Sequence, residues 1–159
     1  MEFFTIGVYN STEEQFFNKL IYNSIDTFCD IRQRRGVRGA QYAFVNSKRL
    51  QTKLEEIGIK YCYTQNLAPT QEIRDLQKNA DKANKELKRD RKKLGEVFYE
   101  NYKNKILNDF DINIFIDDLN EKGATRIVLF CVEELPSACH RSIVSEKLSK
   151  TLNCKIKDL

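Results

Sequence analysis

A chain of 159 residues fits one domain and is long enough to bury a core without disulfide or metal staples. Its 41% hydrophobic and 31% charged residues are a globular mixture, and a net charge of +4 permits an anionic partner without demanding nucleic acid. No apolar run approaches the ~18 residues of a membrane helix. The start of the chain also lacks the basic region and small-residue cleavage site of a signal peptide. The expectation is a cytoplasmic protein that engages no membrane and keeps its five cysteines as thiols.

Phe3-Phe4-Thr5-Ile6-Gly7 reads as a first strand. Ser11 and Glu14 then have capping-box spacing for a helix that would lay Phe16, Phe17, Leu20 and Ile21 on a sheet. Ile25 to Asp30 is a second strand, followed by a basic loop and a helix with Leu50, Leu54 and Ile57 on one face, stopped at Gly58. Ile59 to Tyr63 reads as a third strand, and its alternation suits an edge. Residues 71–105 are polar and Lys-rich, the pattern of a projecting helical insertion within the single domain 1–159, until Val97, Phe98, Tyr102 and Ile106 restore a packing stripe. Of Tyr99 and Tyr102, at least one should pack.

A helix follows from Ile112 to Lys122. Arg126 to Val132 is the most continuously apolar segment, as a central strand covered on both faces requires. Ser137 to Leu152 reads as the closing helix, and Lys155 to Leu159 can add a last short strand. The alternation implies an α/β fold with a mostly parallel sheet of four to five strands flanked by helices.

In such sheets ligands gather beyond the carboxyl ends of the strands, where loops converge and helix N-termini point. Three clusters fall there: Gly7-Val8-Tyr9, Asp30-Ile31-Arg32, and Cys131 to Arg141. In the last, a helix start and Arg141 would lower a thiol pKa, making Cys139 a candidate nucleophile. His140 is the chain's one histidine, so imidazole chemistry must use it. Against this, Cys131 and Cys139 are equally read as buried and inert, with His140 and Arg141 bonding nearby carbonyls and Asp30.

Cys131, Cys139, His140 and Glu133 are zinc-type ligands, but the cysteines lack the close C-x₂₋₄-C pairing of structural sites, so no metal or cofactor is expected. A phosphatase or rhodanese loop is disfavoured because no compact glycine-rich anion cradle is present. An acid ending an apolar strand needs a partner, and Arg32 or Arg141 could serve Asp30. The Arg32 to Arg38 loop suits bidentate recognition of phosphate or carboxylate but reads slightly more readily as solvated charge, and the Lys-rich stretch from Gln77 to Lys93 reads as a solvated face more readily than as a nucleic-acid surface.

Thr5-Ile6-Gly7, Asp30-Ile31-Arg32, and Cys131-Val132-Glu133 followed by Cys139-His140-Arg141-Ser142 together resemble the DUF488 family, named for its unknown function. The resemblance spans nearly the whole chain and implies a compact α/β fold with Asp30, Arg32, Cys131, Glu133, Cys139, His140 and Arg141 at motif positions. Gly7 precedes Val8-Tyr9-Asn10 where the family commonly carries a His-Ser pair, and Leu135 replaces the usual acid before Pro136. The family implies no settled activity.

The leading reading is a polar, anion-accepting pocket for a phosphorylated small molecule, nucleotide or nucleic-acid end. In it Gly7, Tyr9, Asp30, Arg32, Cys131 and Arg141 contact ligand, and an enzymatic version adds Cys139 as nucleophile or His140 as acid/base positioned by Glu133. The alternative is a non-catalytic nucleic-acid or protein-binding module using the Arg34 to Arg38 loop and the Lys-rich helix. A third reading makes the motif purely structural.

Overall fold

The computed structural model describes residues 1–83 and 92–159. Five parallel strands form one sheet in the order β3-β2-β4-β1-β5. The strands are β1 (Glu2–Ile6), β2 (Thr27–Asp30), β3 (Lys60–Tyr63), β4 (Arg126–Phe130) and β5 (Lys157–Asp158). The helices are α1 (Glu13–Tyr22), α2 (Ser47–Glu56), α3 (Gln71–Ala83), α4 (Glu96–Tyr102), α5 (Ile112–Glu121) and α6 (Arg141–Leu152). As its apolar run requires, β4 is central, and β3 is an edge.

Period-two alternation sorts the strand side chains between two cores. Phe4, Ile6, Phe28, Val128 and Phe130 pack with Phe16, Phe17 and Leu20 of α1 and Leu50 and Leu54 of α2. Phe3, Cys29, Ile127 and Leu129 pack with α3 to α6 through Ile73, Tyr102, Leu119 and Leu148. The chain therefore leaves β1 and β2 toward one face but leaves β4 toward the other. Such a reversal of direction between neighbouring strands opens a crevice at their carboxyl ends.

Several expectations shift. The capping box is one residue later than Ser11 and Glu14: Thr12 Oγ1 accepts from Gln15 N at 3.1 Å and Gln15 Oε1 from Thr12 N at 2.9 Å. Ile21 consequently turns out to solvent, at 50% exposure. The closing helix begins at Arg141, after a 3₁₀ turn at Pro136–Ala138.

Within the described part of 71–105, α3 buries Ile73 and Gln77 in its first half while α4 buries Phe98 and Tyr102. Buried Gln77 reaches across the junction, its Oε1 accepting from Phe98 N at 2.9 Å in the first turn of α4. Lys85, Lys88, Arg89 and Arg91 lie outside the described residues. No described helix is long and apolar enough to cross a membrane.

Candidate functional site

The candidate residues meet at the carboxyl edge of the sheet as three small clusters rather than one pocket. Asp30 and Phe130 are register partners and share a face, whereas Cys131, one residue further, falls on the opposite face with α6.

On the α1/α2 side, Arg32 folds back on Asp30. Its Nε and Nη2 donate to the two carboxylate oxygens at 2.8 and 2.7 Å, and its backbone N–H donates to Oδ1 at 3.1 Å. Tyr61 Oη donates to Oδ2 at 2.9 Å, and the guanidinium lies 4.5 Å above the Phe130 ring. Both charges are buried, at 0% and 2% exposure, so each depends on the other for stabilisation. Arg32 Nη1 is a buried donor without a partner, and the neighbouring Gln33 Oε1 is an unpaired acceptor. Burial, above all, with the Asp30 charge next, pushes Tyr61 up to about 12.

On the other side sit Cys131, Cys139 and His140. His140 Nδ1 is 3.8 Å from both sulfurs, and the three potential ligand atoms lie within 4.8 Å of one another. Nε2 is 3.0 Å from the Ile31 carbonyl oxygen. That oxygen can only accept, so Nε2 carries the hydrogen and, in the neutral ring, Nδ1 turns its lone pair toward the sulfurs. Tyr102, whose hydroxyl donates to the Leu67 carbonyl at 2.6 Å, and Phe98 wall the imidazole at ring separations of 5.3 and 6.4 Å.

The two thiols differ in character. A hydrogen bond from Cys139 holds the Cys131 thiol well below its ordinary value, helped by His140 and the Val132 N–H against the opposing effect of burial. Burial and then Cys131 push Cys139 up, outweighing the Arg141 charge and backbone N–H that made it the expected nucleophile.

Gly7, Glu133 and Arg141 form the third cluster, a backbone clamp. A Cβ on Gly7 would lie 2.1 Å from the Glu133 carbonyl oxygen, so only glycine admits that approach. Arg141, fully buried, donates through Nη1 and Nη2 to the carbonyls of Glu133 and Glu134 and through Nε to Asp158. These bonds make it a positioning group for the loop after β4, and Arg32 rather than Arg141 is the arginine paired with Asp30. Val8 and Tyr9 N–H groups donate to the Val132 carbonyl, at 3.2 and 3.1 Å.

Tyr9 packs against Tyr42 with the rings tilted and their centroids 5.1 Å apart, and its hydroxyl is held up by burial and by the charges of Glu133 and Cys131, which places these groups within electrostatic reach of one another. Arg74 of α3 acts on the same hydroxyl.

Sequence reasoning missed Tyr61, Phe130, Arg74 and the Ile31 carbonyl. Only Phe130 carried a signal, as the register partner of Asp30 once β2 and β4 are paired. The basic loop divides its charge: Arg34 donates to Gln71 at 3.2 Å and Arg35 lies over Tyr63 at 4.2 Å, while Arg38 is exposed. Two surface clefts, of about 590 and 730 Å³, are lined by residues such as Cys62, Phe115 and Lys122, and Asn46 and Arg49, and by none of the candidates.

Residues 12–148 match the family described as a domain of unknown function, DUF488, and the chain belongs to that family. The match contains Asp30, Arg32, Cys131, Glu133, Cys139, His140 and Arg141, whereas Gly7 and Tyr9 precede it. Comparison with curated proteins and with solved structures finds no match.

Proposed function

We propose that this member of the family binds an acceptor-rich group, best matched by the phosphoryl group of a small molecule, nucleotide or nucleic-acid end, at the carboxyl edge of β2 and β4. The observation that carries the reading is Arg32. Its guanidinium is immobilised by Asp30 and Phe130, yet keeps one donor, Nη1, buried and unpaired. An orphaned buried donor costs about 1–3 kcal/mol, which a ligand oxygen would recover. Arginine's planar fork suits phosphoryl and carboxylate oxygens better than a point charge does.

Asp30 neutralises Arg32, so the site offers a directed N–H more than a field, and its affinity should depend weakly on salt. Binding through an exposed basic surface would instead collapse steeply as salt rises.

Calorimetric titration with inorganic phosphate and with a nucleoside monophosphate, at low and moderate salt, tests the reading. Arg32→Lys keeps a cation for Asp30 but removes the fork. Affinity should fall at least about tenfold, equivalent to ~1.4 kcal/mol. Binding that ignores Arg32→Lys and vanishes with salt would sink the reading in favour of the Arg34 to Arg38 surface.

A further inference from the structure

We infer that Cys131, Cys139 and His140 form a binding site for a zinc-class divalent ion, with three protein ligands and a fourth position left for an exchangeable oxygen or nitrogen. The inference does not depend on Arg32, which lies on the other face of the sheet.

Distances carry the argument first. Bonds of about 2.3 Å to sulfur and 2.0–2.1 Å to nitrogen put tetrahedral S···N edges near 3.6 Å. His140 Nδ1 stands 3.8 Å from each sulfur, within a few tenths of an ångström of that edge, and all three ligand atoms lie within 4.8 Å of one another. Consecutive-pair spacing disfavoured zinc in the sequence. Folding supplies what spacing lacks, because Cys131 leaves the end of β4 while Cys139 and His140 return at the start of α6.

The surroundings point the same way. A metal-binding imidazole characteristically donates its second nitrogen to a carbonyl or carboxylate, which fixes the tautomer and aims the other lone pair at the ion. His140 does this toward the Ile31 carbonyl, at 3.0 Å. The three side chains are 7%, 2% and 5% exposed and walled by aromatic rings. A buried thiolate is costly alone. Two thiolates, a neutral imidazole and a divalent ion sum to zero charge, so metal binding with loss of the thiol protons to solvent suits this interior. Soft sulfur donors select zinc over magnesium or calcium.

The test uses the reduced full-length chain with Zn²⁺ or Co²⁺ as probe. Metal analysis after dialysis should give one ion per chain, and Co²⁺ should show thiolate-to-cobalt charge-transfer bands with tetrahedral ligand-field absorption. Zn²⁺ should shield Cys131 and Cys139 from alkylation but leave the half-buried Cys62 reactive. This arm needs no variant, so it stands even if a substitution unfolds the protein.

Cys131→Ser, Cys139→Ser and His140→Gln, each checked for folding by circular dichroism, should weaken Zn²⁺ by about a hundredfold or more, since outer-shell changes alone cost 10–100-fold. Cys62→Ser should leave it unchanged. Reduced, folded protein that takes up neither ion, cobalt bands without thiolate character, or uptake that survives Cys131→Ser would overturn the site. None of these outcomes bears on phosphate binding through Arg32.

Discussion

Asp26 and Asp30 stand at opposite ends of the same short strand, and the protein treats them differently. At the amino edge, Asp26 accepts from the backbone N–H groups of Thr125 and Arg126, from the Thr125 hydroxyl and, at 2.7 Å, from Thr27 Oγ1. That network ties β2 to the start of β4. At the carboxyl edge Asp30 is just as well satisfied, but its partner Arg32 keeps an orphaned donor, and a thiol-imidazole cluster lies on the other face. Evenly satisfied polar groups serve stability, while a network held rigid with one group unpaired is prepared for something else. The amino edge is a seam, and the carboxyl edge is the proposed site.

Asp30→Asn should break this contrast most severely. It strands the Arg32 charge in a nearly dry environment, and removing one partner of a buried pair costs about 3–5 kcal/mol. Urea unfolding should show that loss. Adding Arg32→Met should restore much of it, because the resulting pair carries no uncompensated charge, while phosphate binding should disappear. If Asp30→Asn is neutral, or Arg32→Met does not rescue it, the pair is not the coupled unit described.

Asp26→Asn should cost less, about 1–3 kcal/mol, because the amide retains an acceptor and the site is partly exposed. Its signature is in the pH dependence. Burial opposes ionisation of Asp26, but the Thr125 and Thr27 side chains and the Arg126 and Thr125 N–H groups outweigh it and hold the carboxyl below its usual value. A depressed folded pKa gives stability that is present above the unfolded pKa of ~3.9 and is lost as pH falls through the lower folded value. The stability gap between the wild type and Asp26→Asn should therefore close toward acid. A gap constant from pH ~6 to ~2 would refute this role. Phosphate binding should not change.

Much of this architecture was legible in the chain. The apolar run Arg126 to Val132 announced the central strand, and Asp30, Arg32, Cys131 and the Cys139-His140-Arg141 motif lie at the carboxyl ends of the strands, where their order along the chain put them. What stayed hidden follows from geometry that pattern cannot carry. Period two sends Phe130 and Cys131 to opposite faces, so one expected pocket becomes separate clusters. Arg141 resembles Arg32 as a letter, but its donors are consumed by main-chain carbonyls that come within reach only because Gly7 lacks a Cβ. The polar stretch after Gln71 looked projecting because a buried Gln77 is indistinguishable in sequence from a solvated one until α4 supplies the N–H it caps.

The smallest expected effect sharpens the comparison most finely, because it removes one donor from the site and leaves its charges in place. Tyr61→Phe deletes the 2.9 Å hydrogen bond to Asp30 Oδ2 while Arg32 still holds both carboxylate oxygens, so the loss near neutral pH should be about 0.5–1.5 kcal/mol. Burial and the Asp30 charge raise Tyr61 from 10.0 to about 12. For an acid whose folded pKa is raised, the stability it contributes is complete below the unfolded pKa and is lost as pH climbs to the folded one. The wild-type advantage over Tyr61→Phe should thus shrink between those two values, and the tyrosinate absorbance missing from the variant should be absorbance that develops near pH 12. Missing absorbance that titrates at the ordinary tyrosine value would mean that Tyr61 does not feel the Asp30 charge, and the carboxyl edge would then be more open to solvent than its bonding requires.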